Sequence, residues 1–569
     1  MGIDVQVKGI RMDNDQLKAR LQMHLTHLCK GEKLSGTPAA KEGAEYICDT
    51  LRSMGISTRQ FRFSAYLSDP LSSSFQIWDG EGWRKIPSRP RSFSANCPEG
   101  VEGELIFDAN ALCRETLHEE REFLNQVQGK IVLAFGYDEK YAKLLDLHKA
   151  AGLIQIWESD EEEIHEDTVG PIWGTPDASS YWTGLSLPVA AVSGPTGRHL
   201  LQMQNSGTRY RAQLRTVVTN EIREVLLPVA EIRGNSSDFV LVSGHYDTWY
   251  VGAMDNGCAN SLHLELAGEL QALKEQGKLY RSVRFAFWPG HSNGRYMGST
   301  WYMDHFFSEI SENCIAHINS DLNGSVLTDR LAIKTTGLEG NTFHHEIMRR
   351  AGMDDIPLVF GVPGRGADQS FWGARIPYHI LARFEQDAEA KGSASPGPGV
   401  WWWHTRYDVP QYVDYDILVK EYLYLSELVR TLVMNQDLPM EWNPFLEMQR
   451  TEIEQHMEGH PLAEELIKAW SSFTKYAEQD EPDRSSPKAE NYFLQAAGTL
   501  NALKYTYGSS YMQDAAFSYG TYPFLRMASV QEEECPEDWY LFIQTSIRRQ
   551  VNRLSTEWKK LGEEMDRRR

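Results

Sequence analysis

The chain has 569 residues, more than one hydrophobic core accommodates, so about two to four domains are expected. Its 41% hydrophobic and 11% aromatic content is that of a globular enzyme and excludes a disordered or fibrous chain. With 57 basic against 79 acidic residues, the net charge of −22 argues against a nucleic-acid surface.

No run of about eighteen apolar residues is present, so no membrane span is expected. The opening stretch MGIDVQVKGIRMDNDQLKARL lacks the apolar core of a signal peptide. Seven scattered cysteines without CxxC spacing fit a reducing compartment. A cytoplasmic location follows as the expectation.

In chain order, residues 15–65 read as helices, LKARLQMHLTHLC and then GTPAAKEGAEYICDTLRSMG, with Thr37 as N-cap and Gly55 as stop. Residues 66–220 are rich in turns. Their short strand runs GELIFD, GKIVLAF and LPVAAVSG surround a helix at KLLDLHKAAG, which suggests a small α/β domain inserted into a larger one. The acidic run SDEEEIHED at 159–167 reads as a solvated loop. From 221 to 410, near-continuous apolar strands (DFVLVSGH, RSVRFAFW, CIAHINSD, RLAIKTTG, PYHILARF) alternate with helices, indicating a sheet covered on both faces. From 411 the chain reads as helical. Leu418, Tyr422, Leu425, Val429 and Leu432 share one face, as do Ile543, Ile547, Val551 and Leu554. Packing, or the contact of a homodimer, would use those faces.

The stretch SGHYDTWYVGAMDNG at 243–257 carries the chemistry. His245 ends a strand-like run, Asp247 follows two residues on, and Asp255 sits in a Gly-rich turn eight residues later. An imidazole and a carboxylate converging from neighbouring loops form ligands for a divalent cation, and Asp247 is placed to accept the second ring N–H of His245. Cys258 reads as a small buried thiol rather than a ligand.

These features in this order resemble the di-zinc aminopeptidase and glutamate carboxypeptidase family (peptidase family 28) over essentially the whole chain. The resemblance implies a central mixed sheet with helices on both faces, formed by residues 1–65 and 221–410. It also implies a protease-associated insert at 66–220 and a helical, dimerisation-like domain at 411–569. His245 in SGHYDT then looks like the first metal histidine and Asp247 like its orienting carboxylate. Asp255 in GAMDNG looks like the aspartate bridging two metals, Asp321 in INSD like the second carboxylate of one metal, and His404 in WHTRYD like the histidine of the other. GRGADQSFW at 364–372 is similar to the segment lining the family's substrate pocket, so Arg365 and Asp368 are substrate contacts by this resemblance.

One departure limits what is inherited. Family enzymes carry two adjacent Glu after the strand matched here by VRFAFW, one a general base and the other a metal ligand. This chain has FAFWPGHSNGRYMGS. Anchoring on Trp288 puts His291 and Ser292 at the pair, whereas anchoring on Gly298 and Ser299 puts Ser292 and Asn293 there.

Three outcomes are open: His291 replaces the lost ligand or base, one metal is lost, or the domain is a binding scaffold as in the transferrin receptor and nicastrin branches. A rival from another class is a serine hydrolase, because Gly290-His291-Ser292-Asn293-Gly294 matches a nucleophile elbow with Asp321 and His404 following.

Arg295 and Arg365 are candidates to clamp a substrate carboxylate. Tyr296 and Tyr246 are candidate oxyanion donors, and Asp408 a candidate to orient His404. Trp401, Trp402 and Trp403 either wall an apolar pocket or pack domains together. His305, His317, His344, His345 and His379 read as structural.

The expected protein is a metal-dependent hydrolase of an amide or peptide-like bond in a small, anionic substrate or short peptide. It would hold one or two ions, zinc before manganese or iron, with His291 as ligand or base. A lyase or isomerase with His291 as acid–base residue is the alternative chemistry.

Overall fold

The computed structural model describes residues 13–568 apart from 110, 112–115, 137, 206–208, 388–396, 478–486 and 518. The N-terminal stretch read for a signal peptide thus lies largely outside the described residues. Thr37 caps the helix Pro38–Ser53 as expected, its hydroxyl accepting from the Ala40 amide at 3.3 Å.

Four parallel strands form the centre of the sheet in the order Tyr378–Glu385, Cys314–Asn319, Phe239–His245 and Ser282–Trp288. Every residue of Phe239–His245 is buried, because helices cover both faces. On one side the sheet continues through Arg330–Thr335, antiparallel to Tyr378–Glu385, to Leu358–Gly361. On the other it continues through the antiparallel strand Arg211–Ile232. The sheet is therefore mixed.

That last strand departs from the expected layout. Ser57–Trp78, whose first residues fall in the stretch read as helical, pairs with Arg211–Ile232 from Ser57↔Glu231 to Trp78↔Arg211. The alternation in TRQFRFSAYL is a period-two signal that the neighbouring helices obscured. The far half of Arg211–Ile232 then pairs with Cys97–Asp108, and parallel strands Ile131–Phe135, Gly152–Ile156 and Val189–Val192 extend the sheet into the inserted segment. Positions 65/66 and 220/221 consequently lie inside one continuous ribbon, with Ala65 opposite Arg223.

The helix Tyr415–Met434, capped by Asp414, does not start a separate layer. Its Leu418, Leu425, Val429 and Leu432 share a core with Leu264 of the helix Cys258–Glu275 and with sheet residues Val240 and Ile380. The later helices join the same buried cluster: Ile547, Val551 and Trp558 of Glu537–Arg568 pack with Trp470 and Phe473 of Ala463–Ala477, and Asn501 of Pro487–Tyr505 donates to the carbonyls of Ile376 and Pro377 in the core.

Candidate metal centre

Parallel strands end together, so the loops beyond them converge. His245 closes Phe239–His245 and is 1% exposed; Asp321 follows Cys314–Asn319 by two residues. His245 Nε2 lies 3.0 Å from Asp255 Oδ1 and 3.4 Å from Asp321 Oδ1. His404 Nε2 lies 3.0 Å from the other oxygen of Asp255. One carboxylate thus stands between two imidazoles.

Each imidazole has its other nitrogen fixed. His245 Nδ1 donates to the Asp247 carbonyl at 2.8 Å, and His404 Nδ1 donates to the Glu166 carbonyl at 2.7 Å. In the neutral tautomers so imposed, both Nε2 lone pairs face carboxylate oxygens. His245 Nε2, Asp255 Oδ1 and Asp321 Oδ1 are buried and have no hydrogen-bond partner. Lone pairs buried against carboxylate oxygens repel one another unless a cation lies between them. The donor set of imidazole nitrogen and carboxylate oxygen suits zinc, and equally manganese or iron. Without a cation, burial disfavours every charge here, but the carboxylates raise His245 well above its ordinary value and the imidazoles hold Asp255 well below its own.

The outer supports differ from expectation. It is the Asp247 backbone, not its carboxylate, that orients His245; the carboxylate accepts the amides of His291 and Ser292, each at 3.1 Å. Asp247 therefore pins the loop that carries His291 and Ser292. Asp408 does not orient His404. Its two oxygens accept the amides of Met254 and Asp255 at 2.8 and 3.0 Å, fixing the turn that presents the shared carboxylate.

Trp288 is in register with His245, and His291 follows the end of that strand by three residues. Asn293 points away, donating to Asp69 and the Ser35 carbonyl. The His291 ring stacks on His245 at 3.7 Å, and a ligand atom of each, with one of Asp321, lies within 4.8 Å of the others. His291 Nδ1 is 2.8 Å from Asp368, which leaves Nε2 for the cavity. Asp368 is fully buried and also accepts from Ser299 at 2.8 Å, so it supports His291 instead of contacting substrate.

The cavity over these groups measures about 550 Å³. Arg295, Tyr296, Arg365, Trp403 and Ser292 line it, but neither arginine is free for a bidentate clamp. Arg295 pairs with Glu139 and donates to the Ala516 carbonyl, while both terminal nitrogens of Arg365 donate to the carbonyls of Asp514 and Ala515. Tyr296 sets its ring edge-on to His291, and burial raises its hydroxyl pKa. Tyr246 instead donates to the Leu226 carbonyl at 2.7 Å, outside the cavity. Trp403 stacks on His404 at 3.6 Å and walls the cavity, whereas Trp402 packs in the core with Met254 and Leu322.

The serine-hydrolase triad is not assembled: His404 Nε2 faces Asp255 and Asp321 faces His245, leaving Ser292 without a base. His317 and His344 are structural, bonded to Ser243 and Glu339.

The acidic run is solvated only in its first half: Asp160, Glu161 and Glu162 are exposed, but its end is buried. Glu166 is 1% exposed, paired with Arg89, and Asp167 lines the cavity beside Glu139. The signal was available, because the run ends in TVGPIWG, an apolar stretch that has to pack.

Residues 229–428 match the model of Peptidase family M28. The probable lipoprotein aminopeptidase LpqL of Mycobacterium tuberculosis (strain ATCC 25618 / H37Rv) is 24% identical over 323 residues, 55% of this chain and 60% of that protein. Carboxypeptidase Q of Bos taurus is 29% identical over 192 residues, 33% of this chain and 39% of that protein. The chain thus covers less than two thirds of each. The fold is that of an aminopeptidase from Aneurinibacillus sp. strain AM-1, with a TM-score of 0.56 at 18% identity over 76% of this chain and 96% of that one. In sequence the segment 229–428 thus matches Peptidase family M28, and the chain has the fold of a zinc aminopeptidase.

Proposed function

We propose that the protein is a metal-dependent hydrolase of an amide or peptide-like bond in a small molecule or short peptide. The observation that carries this reading is the Asp255 carboxylate between the bare Nε2 atoms of His245 and His404. His245, Asp255 and Asp321 on one side and Asp255 and His404 on the other would hold divalent cations, zinc foremost, which would supply Lewis-acid polarisation and a lowered pKa of bound water.

The chain's own residues then handle protons and position. His291, at the place of the lost general base, takes a proton from the attacking water as the C–O bond forms. It returns that proton to the leaving amine as the C–N bond breaks. Asp368 holds its ring in the tautomer that leaves Nε2 free. Tyr296 donates from a hydroxyl that burial keeps protonated. An anionic substrate group would meet Lys334 and Arg383 at one end of the cavity, but Arg383 already holds Glu385 at 3.0 Å, so that preference is modest.

A homodimer is also proposed, on the exposure of Leu541 and Phe542 (61% and 60%) on the last helix. Light scattering of the purified chain tests it, and a monomer at all concentrations contradicts it.

Turnover of chromogenic aminoacyl amides and dipeptides in ¹⁸O-water tests the hydrolase reading. Chelator-sensitive release with one labelled oxygen in the acid product is expected. Chelator-insensitive turnover overturns it, and product without label makes His291 the base of a lyase.

A further inference from the structure

The two sides of Asp255 are not equally furnished. On the His245 side the core supplies two carboxylates, Asp255 and Asp321. On the His404 side it supplies only Asp255, because the position of the second Glu is Ser292. A cation held by one imidazole and one shared carboxylate is short of both ligands and negative charge.

The inserted segment reaches this side directly. The Glu166 amide donates to the His404 carbonyl at 2.9 Å while its own carbonyl accepts from His404 Nδ1 at 2.7 Å. This two-point clamp fixes the backbone next to His404, and Asp167 is the following residue. Asp167 is 8% exposed and lines the same cavity as Asp255 and His404.

Its carboxylate has one hydrogen bond among the described residues, from the Thr168 amide at 2.7 Å. Among the described residues no arginine or lysine lies within ion-pair distance of it: Arg89 is paired with Glu166 and Arg295 with Glu139, and Arg91, which bonds Gln155 and the His165 carbonyl and keeps one terminal nitrogen unpartnered, acts on it only through space. A carboxylate nine-tenths buried without a paired cation is costly. It shares the cavity with the imidazole whose cation position lacks a ligand.

We propose that Asp167, carried by the inserted segment, supplies the carboxylate of the His404-side cation position that the loop after Ser282–Trp288 no longer provides. The inserted segment is then part of the metal centre as well as of the cavity wall. The inference rests on the two-cation reading of the site.

Zinc titration by calorimetry into the metal-stripped full-length chain tests it, comparing wild type, Asp167→Asn and His245→Ala. Asparagine keeps the shape and the bond from Thr168 while removing the charge. The expected result is about two ions for wild type and a second ion bound at least 10–100-fold more weakly in Asp167→Asn.

Asp167→Cys offers a readout independent of affinity. Loaded with cobalt(II), it is expected to gain a thiolate-to-cobalt charge-transfer band absent from wild type. Two ions at unchanged affinity in Asp167→Asn, or a cobalt-loaded Asp167→Cys without that band, overturns the role of Asp167 and leaves the two-cation reading standing. Fewer than two ions in wild type overturns the two-cation reading and the inference with it. Circular dichroism of each variant identifies one that has not folded.

Discussion

The two sides of the Asp255 carboxylate are built in different ways. The His245 side is made wholly by the core: His245 and Asp321 close adjacent parallel strands, and Arg383 donates to the Asp321 carbonyl at 3.3 Å. The His404 side is made by contact. His404 lies in a loop with φ 57°, held by the Glu166 carbonyl of the inserted segment and stacked under Trp403. Strand ends place a ligand by sheet register alone, whereas a loop ligand needs a second segment packed on it. One side is thus built by the core sheet itself, and the other depends on a second segment packed against it.

The largest effect that sharpens this contrast is removal of the core-built half. His245→Ala is expected to abolish tight metal binding and to lower kcat by more than the roughly 100-fold that loss of an outer partner costs. Mass-spectrometric metal content together with a peptidase assay checks it. His291→Ala comes next, with metal retained and kcat lowered by about 10²–10⁴-fold, the usual worth of a positioned acid–base group. Loss of an ion in that variant would make His291 a ligand instead, which steady-state kinetics and metal analysis of one sample distinguish. Asp368→Asn is expected to cost about 10–100-fold in kcat, because it loosens the His291 tautomer without touching either ligand set.

The smallest effect concerns the foundations of the core-built half. His263 and His317 are buried beneath it, and burial lowers both to about 3 from an ordinary 6.5. The folded state therefore declines a proton that the unfolded state accepts. Stability should fall as pH drops from about 6.5 towards 3, by about 1.4 kcal/mol per pH unit for each histidine. Urea unfolding between pH 7 and 5 should show a slope that His263→Leu reduces, and an unchanged slope in that variant would contradict the assignment.

Much of this was legible in the sequence. His245, Asp255, Asp321 and His404 were visible because strand-end residues in Gly-rich turns stand out against apolar strands, and the resemblance joined them across 160 residues. The loss of the Glu pair was equally plain from FAFWPGHSNG. What the chain did not disclose was pairing between distant segments. Nothing near Asp368 announces that it supports His291 rather than a substrate, since the two are 77 residues apart. The roles of Asp247 and Asp408 were read as ring partners when both hold backbone amides, a choice that sequence spacing does not determine. The strand Ser57–Trp78 was hidden for a related reason: its partner lies more than 130 residues on, and half of it leaves the core to carry the insert.

The central claim is that one carboxylate serves both cations, and Asp255→Asn tests it most directly. Metal content of the purified variant should fall from about two ions per chain to none that survives gel filtration, because both imidazoles lose the oxygen they face. Retention of wild-type metal content in Asp255→Asn, with His245→Ala depleted, would contradict the shared-carboxylate centre.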